Sequence, residues 1–102
     1  MSRRETAPVA SCIKIMALSP EEFSRSLAVL APDAFEEALG RHVFKVDGGS
    51  VVIAAEPLAE VRLGGLLRLP QMRVTITFEG VNEAQQSDVL RRFEFAFQRG
   101  GG

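Results

Sequence analysis

From Met72 to Glu79 apolar and polar side chains alternate without a break, Met72, Val74, Ile76 and Phe78 against Arg73, Thr75, Thr77 and Glu79. A period of two puts each set on its own face of a strand. The same period begins at Arg41, where His42, Phe44 and Val46 oppose Arg41, Val43 and Lys45. Asp47-Gly48-Gly49 then supplies turn chemistry, and Val51, Val52 and Ile53 continue as the second half of a hairpin. A two-residue turn pairs even positions of the first strand with odd positions of the second. Phe44 and Val46 therefore share a face with Val51 and Ile53. Glu56-Pro57 is expected to break this second strand. Beyond it Val61, Leu63, Leu67 and Leu69 take one face and Glu60, Arg62 and Arg68 the other. A two-residue turn at Gly64-Gly65 would set Val61 against Arg68 and mix the faces. A continuous strand, bent or bulged at the glycines, keeps them apart and is the expectation.

The flanking segments read as helices. Ser19 is placed to cap, Pro20 suits the first helical position, and Glu22 at the third completes a capping box, with Phe23, Leu27 and Leu30 following at helical spacing. Pro32 should end this helix, since it lacks an amide hydrogen and disfavours helical dihedrals at Ala31. Asp33 with Glu36 reads as a second capping box for a short helix stopped at Gly40. Asn82 and Gln85 mark the start of the last helix, whose stripe is Val89, Leu90, Phe93, Ala96 and Phe97 and whose stop is Gly100.

The expected fold is α+β, a two-layer sandwich. An N-terminal helix broken at Pro32 and a C-terminal helix cover one face of a four-stranded antiparallel β-meander. Residues 16–99 form the domain, 1–15 a flexible tail and 100–102 a glycine tail; the alternative for Val9–Ile15 is an edge strand or a cover over another apolar surface. Phe44, Val46, Val51, Ile53, Val61, Leu63, Val74, Ile76 and Phe78 make the inward set, with Phe23, Leu27, Phe93 and Phe97 facing them. Terminal helices flanking an antiparallel sheet resemble the frataxin-like arrangement in outline, an architectural likeness carried by no stretch of residues. The outer sheet face should show Arg41, Lys45, Arg62, Arg68 and Arg73 beside Asp47, Glu56, Glu60 and Glu79.

Composition narrows the function classes. The 102-residue chain has a formal charge of −1, which does not suit a general polyanion binder. Both strand phenylalanines point inward, so the sheet lacks the exposed aromatics on which bases stack, and no nucleic-acid partner is expected. Ten of the twelve cations are arginines, dispersed as bacterial coding bias would leave them. The single cysteine, Cys12, has no partner for an internal disulfide, and no apolar run has the roughly 20 residues that span a bilayer. A cytoplasmic protein without a membrane partner is the expectation.

The usual chemical signatures do not assemble. One histidine and one cysteine, thirty positions apart, make a poor zinc set. Neither glycine pair has the spacing that cradles phosphate before a helix, so no metal, cofactor or catalytic residue is assigned. The terminal Gly100-Gly101-Gly102 resembles the tails of ubiquitin-like sulfur carriers, but it follows a helix rather than the last strand of a β-grasp fold. Two surfaces remain. Phe95 lies about 160° from the centre of the Phe93 stripe, with Arg91 and Arg99 one turn to either side. An aromatic framed by arginines has the composition of an interface hot spot, pointing to a protein partner or a homodimer. His42, at the rim of the core, with Gly64 and Gly65 making room, would line a pocket between sheet and helices. The expected function is a non-enzymatic interaction or assembly module; the alternative is a small-molecule-binding protein.

Overall fold

The computed structural model describes residues 10–101, with side chains through Phe97. The elements are β1 (Ala10–Met16), α1 (Pro20–Leu30), β2 (Phe35–Ala38), β3 (Arg41–Val46), β4 (Gly49–Leu63), β5 (Leu67–Glu79) and α2 (Glu83–Gly101). The strands form one sheet in the order β1-β5-β4-β3-β2, every neighbouring pair antiparallel. Both helices lie on its inner face, which makes the α+β two-layer architecture. Among the described residues no helix is long and apolar enough to cross a membrane.

Local chemistry sets both helix starts and the end of α1 where the sequence places them. Ser19 Oγ accepts from the Glu22 amide at 3.2 Å while the Ser19 amide donates to Glu22 Oε1 at 2.8 Å. Asn82 and Gln85 repeat this exchange at the start of α2, at 2.8 and 3.2 Å. The Ala31 amide closes α1 on the Leu27 carbonyl at 2.8 Å, just before Pro32. α2 runs on through Gly100 to Gly101 instead of stopping at Gly100.

Among the described residues the sheet has five strands, not four. Residues 10–15, expected in a tail, make up most of β1, which pairs along its whole length with β5 from Ala10↔Phe78 to Met16↔Met72. Residues 1–9 and Gly102 lie outside the described residues. A strand therefore precedes the first helix, and the frataxin-like outline does not hold. The short helix expected after Asp33 is replaced by β2. Only seven residues separate Pro32 from Gly40, too few for a stable helix, and the Glu36 carboxylate accepts from the Gly40 amide at 3.0 Å instead of capping backward.

The largest departure is at the glycines. β4 and β5 form one long hairpin, with Leu63↔Leu67, Arg62↔Arg68 and Val61↔Leu69 paired around a three-residue loop, Gly64-Gly65-Leu66. The expectation of a continuous strand rested on the parity of a two-residue turn. One more loop residue shifts that parity by one and restores like against like. Gly64 and Gly65 make the reversal at φ +66° and +79°, a region that side chains disfavour. Neither proline breaks its strand. Ala55 donates to the Gly40 carbonyl at 2.7 Å, so Pro57, two positions on, turns its missing donor to the same side, beyond the end of β3. Pro70 accepts from the Leu18 amide at 3.0 Å and likewise faces away from β4, past the end of β1.

The core lies between the inner sheet face and the helices. Phe44, Val51, Ile53, Met72, Val74, Ile76 and Phe78 meet Phe23, Leu27 and Leu30 of α1 and Val89, Phe93, Ala96 and Phe97 of α2. The Phe93 and Phe97 rings stack at 4.2 Å, and Phe23 leans on Phe97 at 5.6 Å. Val46 packs at the margin of this core. Val61 and Leu63, expected within it, lie on the projecting end of the hairpin and are partly or largely exposed. That arm extends the molecule to 56 Å along its long axis, against 26 and 24 Å across.

Candidate functional site

Strand pairing determines which side chains share the outer face. On β5 the odd residues from Leu67 to Glu79 point away from the helices. Their partners across the ladder are Leu63, Val61, Leu58, Glu56, Ala54, Val52 and Ser50 on β4, and Ile15, Ile13 and Ser11 on β1. Val43 and Phe35 extend the Val52–Thr77 row across β3 and β2. An antiparallel sheet that turns one face to water usually presents polar side chains there. Here Ile13, Ile15, Phe35, Leu63 and Leu67 are each about half exposed or more, and Leu66 at the arm tip is 97% exposed. Val43 and Val52 are buried among these neighbours.

The charged residues of this face are fewer than expected. Arg73 and Glu56 neutralise each other through a 2.9 Å hydrogen bond, and Arg41 bonds Glu37 at 2.8 Å at the β3 edge. Lys45 and Glu79 border the far row. Arg62 and Arg68, expected on the outer face, point to the opposite side of the arm, where Arg68 lies 3.9 Å from Glu60. A bulge between Leu58 and Val61 switches the outward set of β4 from even to odd residues, so that Val61 and Leu63, not Arg62, share the outer face.

A second apolar surface lies between the helices. Phe95 is 61% exposed, and together with Val29, itself 63% exposed, it lines a cleft of about 420 Å³ floored by Leu30 and Ala96 and bordered by Arg91 and Arg92. The structure thus brings Phe95 and Arg91 together, with both arginines held by Asp88 from the preceding turns. The Arg99 side chain lies outside the described ones. Val29 escaped the sequence reading because it belongs to the other helix, and its position on the solvent side of the α1 stripe was the available signal.

The proposed pocket divides. His42 lies half-buried with its ring 5.5 Å from Phe23, on a cleft of about 570 Å³ between α1, the start of β3 and the middle of β4. Leu39, Gly40, Pro57 and Met72 complete its apolar wall, and Glu36 sits at the edge. Gly64 and Gly65 are absent from it, because the hairpin carries them to the arm tip. Among the described residues no three His, Cys, Asp or Glu side chains are grouped to hold a metal ion. Cys12 is half-buried on β1 as a free thiol.

No family model matches the chain, and no curated protein or solved structure matches it either.

Proposed function

We propose that this protein is a non-enzymatic interaction module whose contact surface is the outer face of the sheet together with the β4–β5 arm. One observation carries the reading: large apolar side chains stand on a sheet face and arm that no element among the described residues covers. Large apolar residues gathered on one exposed face are a common mark of a surface that something else buries. The arm contributes little to its own domain's core, so its leucines are best understood as contact residues. The Phe95–Val29 cleft supplies a smaller surface on the opposite layer, of the composition that interface centres favour.

Affinity capture from the source cells tests this reading. Tagged wild type should recover discrete polypeptides, copies of itself included, and Leu63→Glu with Leu67→Glu should lose them while keeping the wild-type unfolding midpoint. Equal recovery by both proteins, or recovery of nothing, would count against it. The cleft at His42 favours a second reading, a small apolar ligand, because its volume falls in the usual range for such sites. That reading expects a ligand to protect wild type from thermal unfolding and not the Phe23→Ala, His42→Ala protein.

A further inference from the structure

The apolar stripe on the outer face is self-complementary. Of the seven outward rows that β4 and β5 pair, the stripe comprises six and stops short of Ser50–Glu79. Three belong to the sheet: Val52–Thr77, Ala54–Thr75 and Glu56–Arg73. Three belong to the arm: Leu58–Gln71, Val61–Leu69 and Leu63–Leu67. A two-fold axis crossing the strands between the third and fourth rows lays the arm of one copy over the sheet of another. Leu63–Leu67 then covers Val52–Thr77, and Val61–Leu69 covers Ala54–Thr75. The uncharged Leu58–Gln71 row covers Glu56–Arg73.

We propose that a second copy of this chain occupies this face, the two long hairpins running antiparallel across each other so that each arm covers the other's sheet. The proposal rests on the interaction-module reading and names its partner. Charge supports the choice, since among the described residues the ion pair inside the stripe is already closed at 2.9 Å and the arm's arginines face away from the contact. No charge is therefore buried alone, which is the arrangement an interface core requires. Area supports it too. Ile13, Ile15, Leu63, Leu66 and Leu67, on or beside the two strands that meet, are 46–97% exposed, which amounts to on the order of 600 Å² per copy, about three quarters of the roughly 800 Å² each partner gives to a stable interface. A copy covers both sheet and arm through one symmetric contact.

Sedimentation equilibrium should give twice the 11.1 kDa chain mass for wild type and the single mass for Leu63→Glu with Leu67→Glu. Position is read by cross-linking in a Cys12→Ser background. Leu67→Cys chains mixed with Thr77→Cys chains should join through a bismaleimide of about 10 Å reach, the spacing of packed sheets. Neither variant alone should join to itself, because in this arrangement each residue faces the other and lies about 30 Å from its own copy along the strand. A monomer at about 100 µM overturns the proposal. So does a dimer that survives the double glutamate substitution or that links 67 to 67. If wild type is monomeric yet the same substitution abolishes capture of another protein, the second copy is wrong and the module reading stands. If nothing binds, both fall.

Discussion

Phe93→Ala is expected to destabilise the protein by about 3–5 kcal/mol, the usual cost of a buried phenylalanine deletion with its cavity. Phe93 is 1% exposed, stacks on Phe97 at 4.2 Å, and through that ring reaches Phe23 on α1. It joins the two helices to each other as well as to the sheet, so the surroundings have little freedom to collapse into the space it leaves. A domain of this size holds only about 5–15 kcal/mol in total. Urea unfolding followed by circular dichroism gives the value. Leu66→Ala is the control: the side chain is 97% exposed, and its loss should change stability by no more than about 0.5 kcal/mol. A Phe93→Ala protein that unfolds like wild type would show that the core has been assigned to the wrong helix face.

Deletion of residues 1–16 should abolish the cooperative unfolding transition. The deletion removes the seven paired positions of β1 and leaves β5 as a bare edge. It also takes away Ala10 and Met16, which pack at the margin of the core, and unmoors Leu18, which is 1% exposed and bonded to Pro70. These losses together should exceed about 5 kcal/mol, comparable to the whole stability of a small domain. A truncated chain melting within a few degrees of wild type would mean that β1 is dispensable to the fold.

β1 shows why part of this fold was hidden in the sequence. Its Ala-Ser-Cys-Ile-Lys-Ile-Met run does alternate, but with inverted polarity. Ile13 and Ile15 face outward while Lys14 turns to the helix side, its Nζ 3.9 Å from Glu94. Reading apolar residues as inward ones fails where the outer face is itself apolar. Asp33 with Glu36 imitated a helix cap because the same residue types close turns, and only the pairing of β2 with β3 distinguishes the two. By contrast, the capping boxes at Ser19 and Asn82, the Phe44–Val51 register and the stripe of α2 were legible, since each depends on local spacing alone. The surface was half legible. Phe95 beside Arg91 followed from helical geometry, whereas the arm depended on one loop residue at Gly64-Gly65-Leu66. That residue moved Val61 and Leu63 from the expected core to the exposed stripe.

The claim that the arm and outer sheet face form a contact surface is tested most directly by a photo-crosslinking amino acid placed at Leu67 in the source cells. Arg25, exposed on α1, serves as the control position. The expected result is a covalent adduct of discrete mass from position 67 and none from position 25. No adduct from position 67, or equal adducts from both, would contradict it.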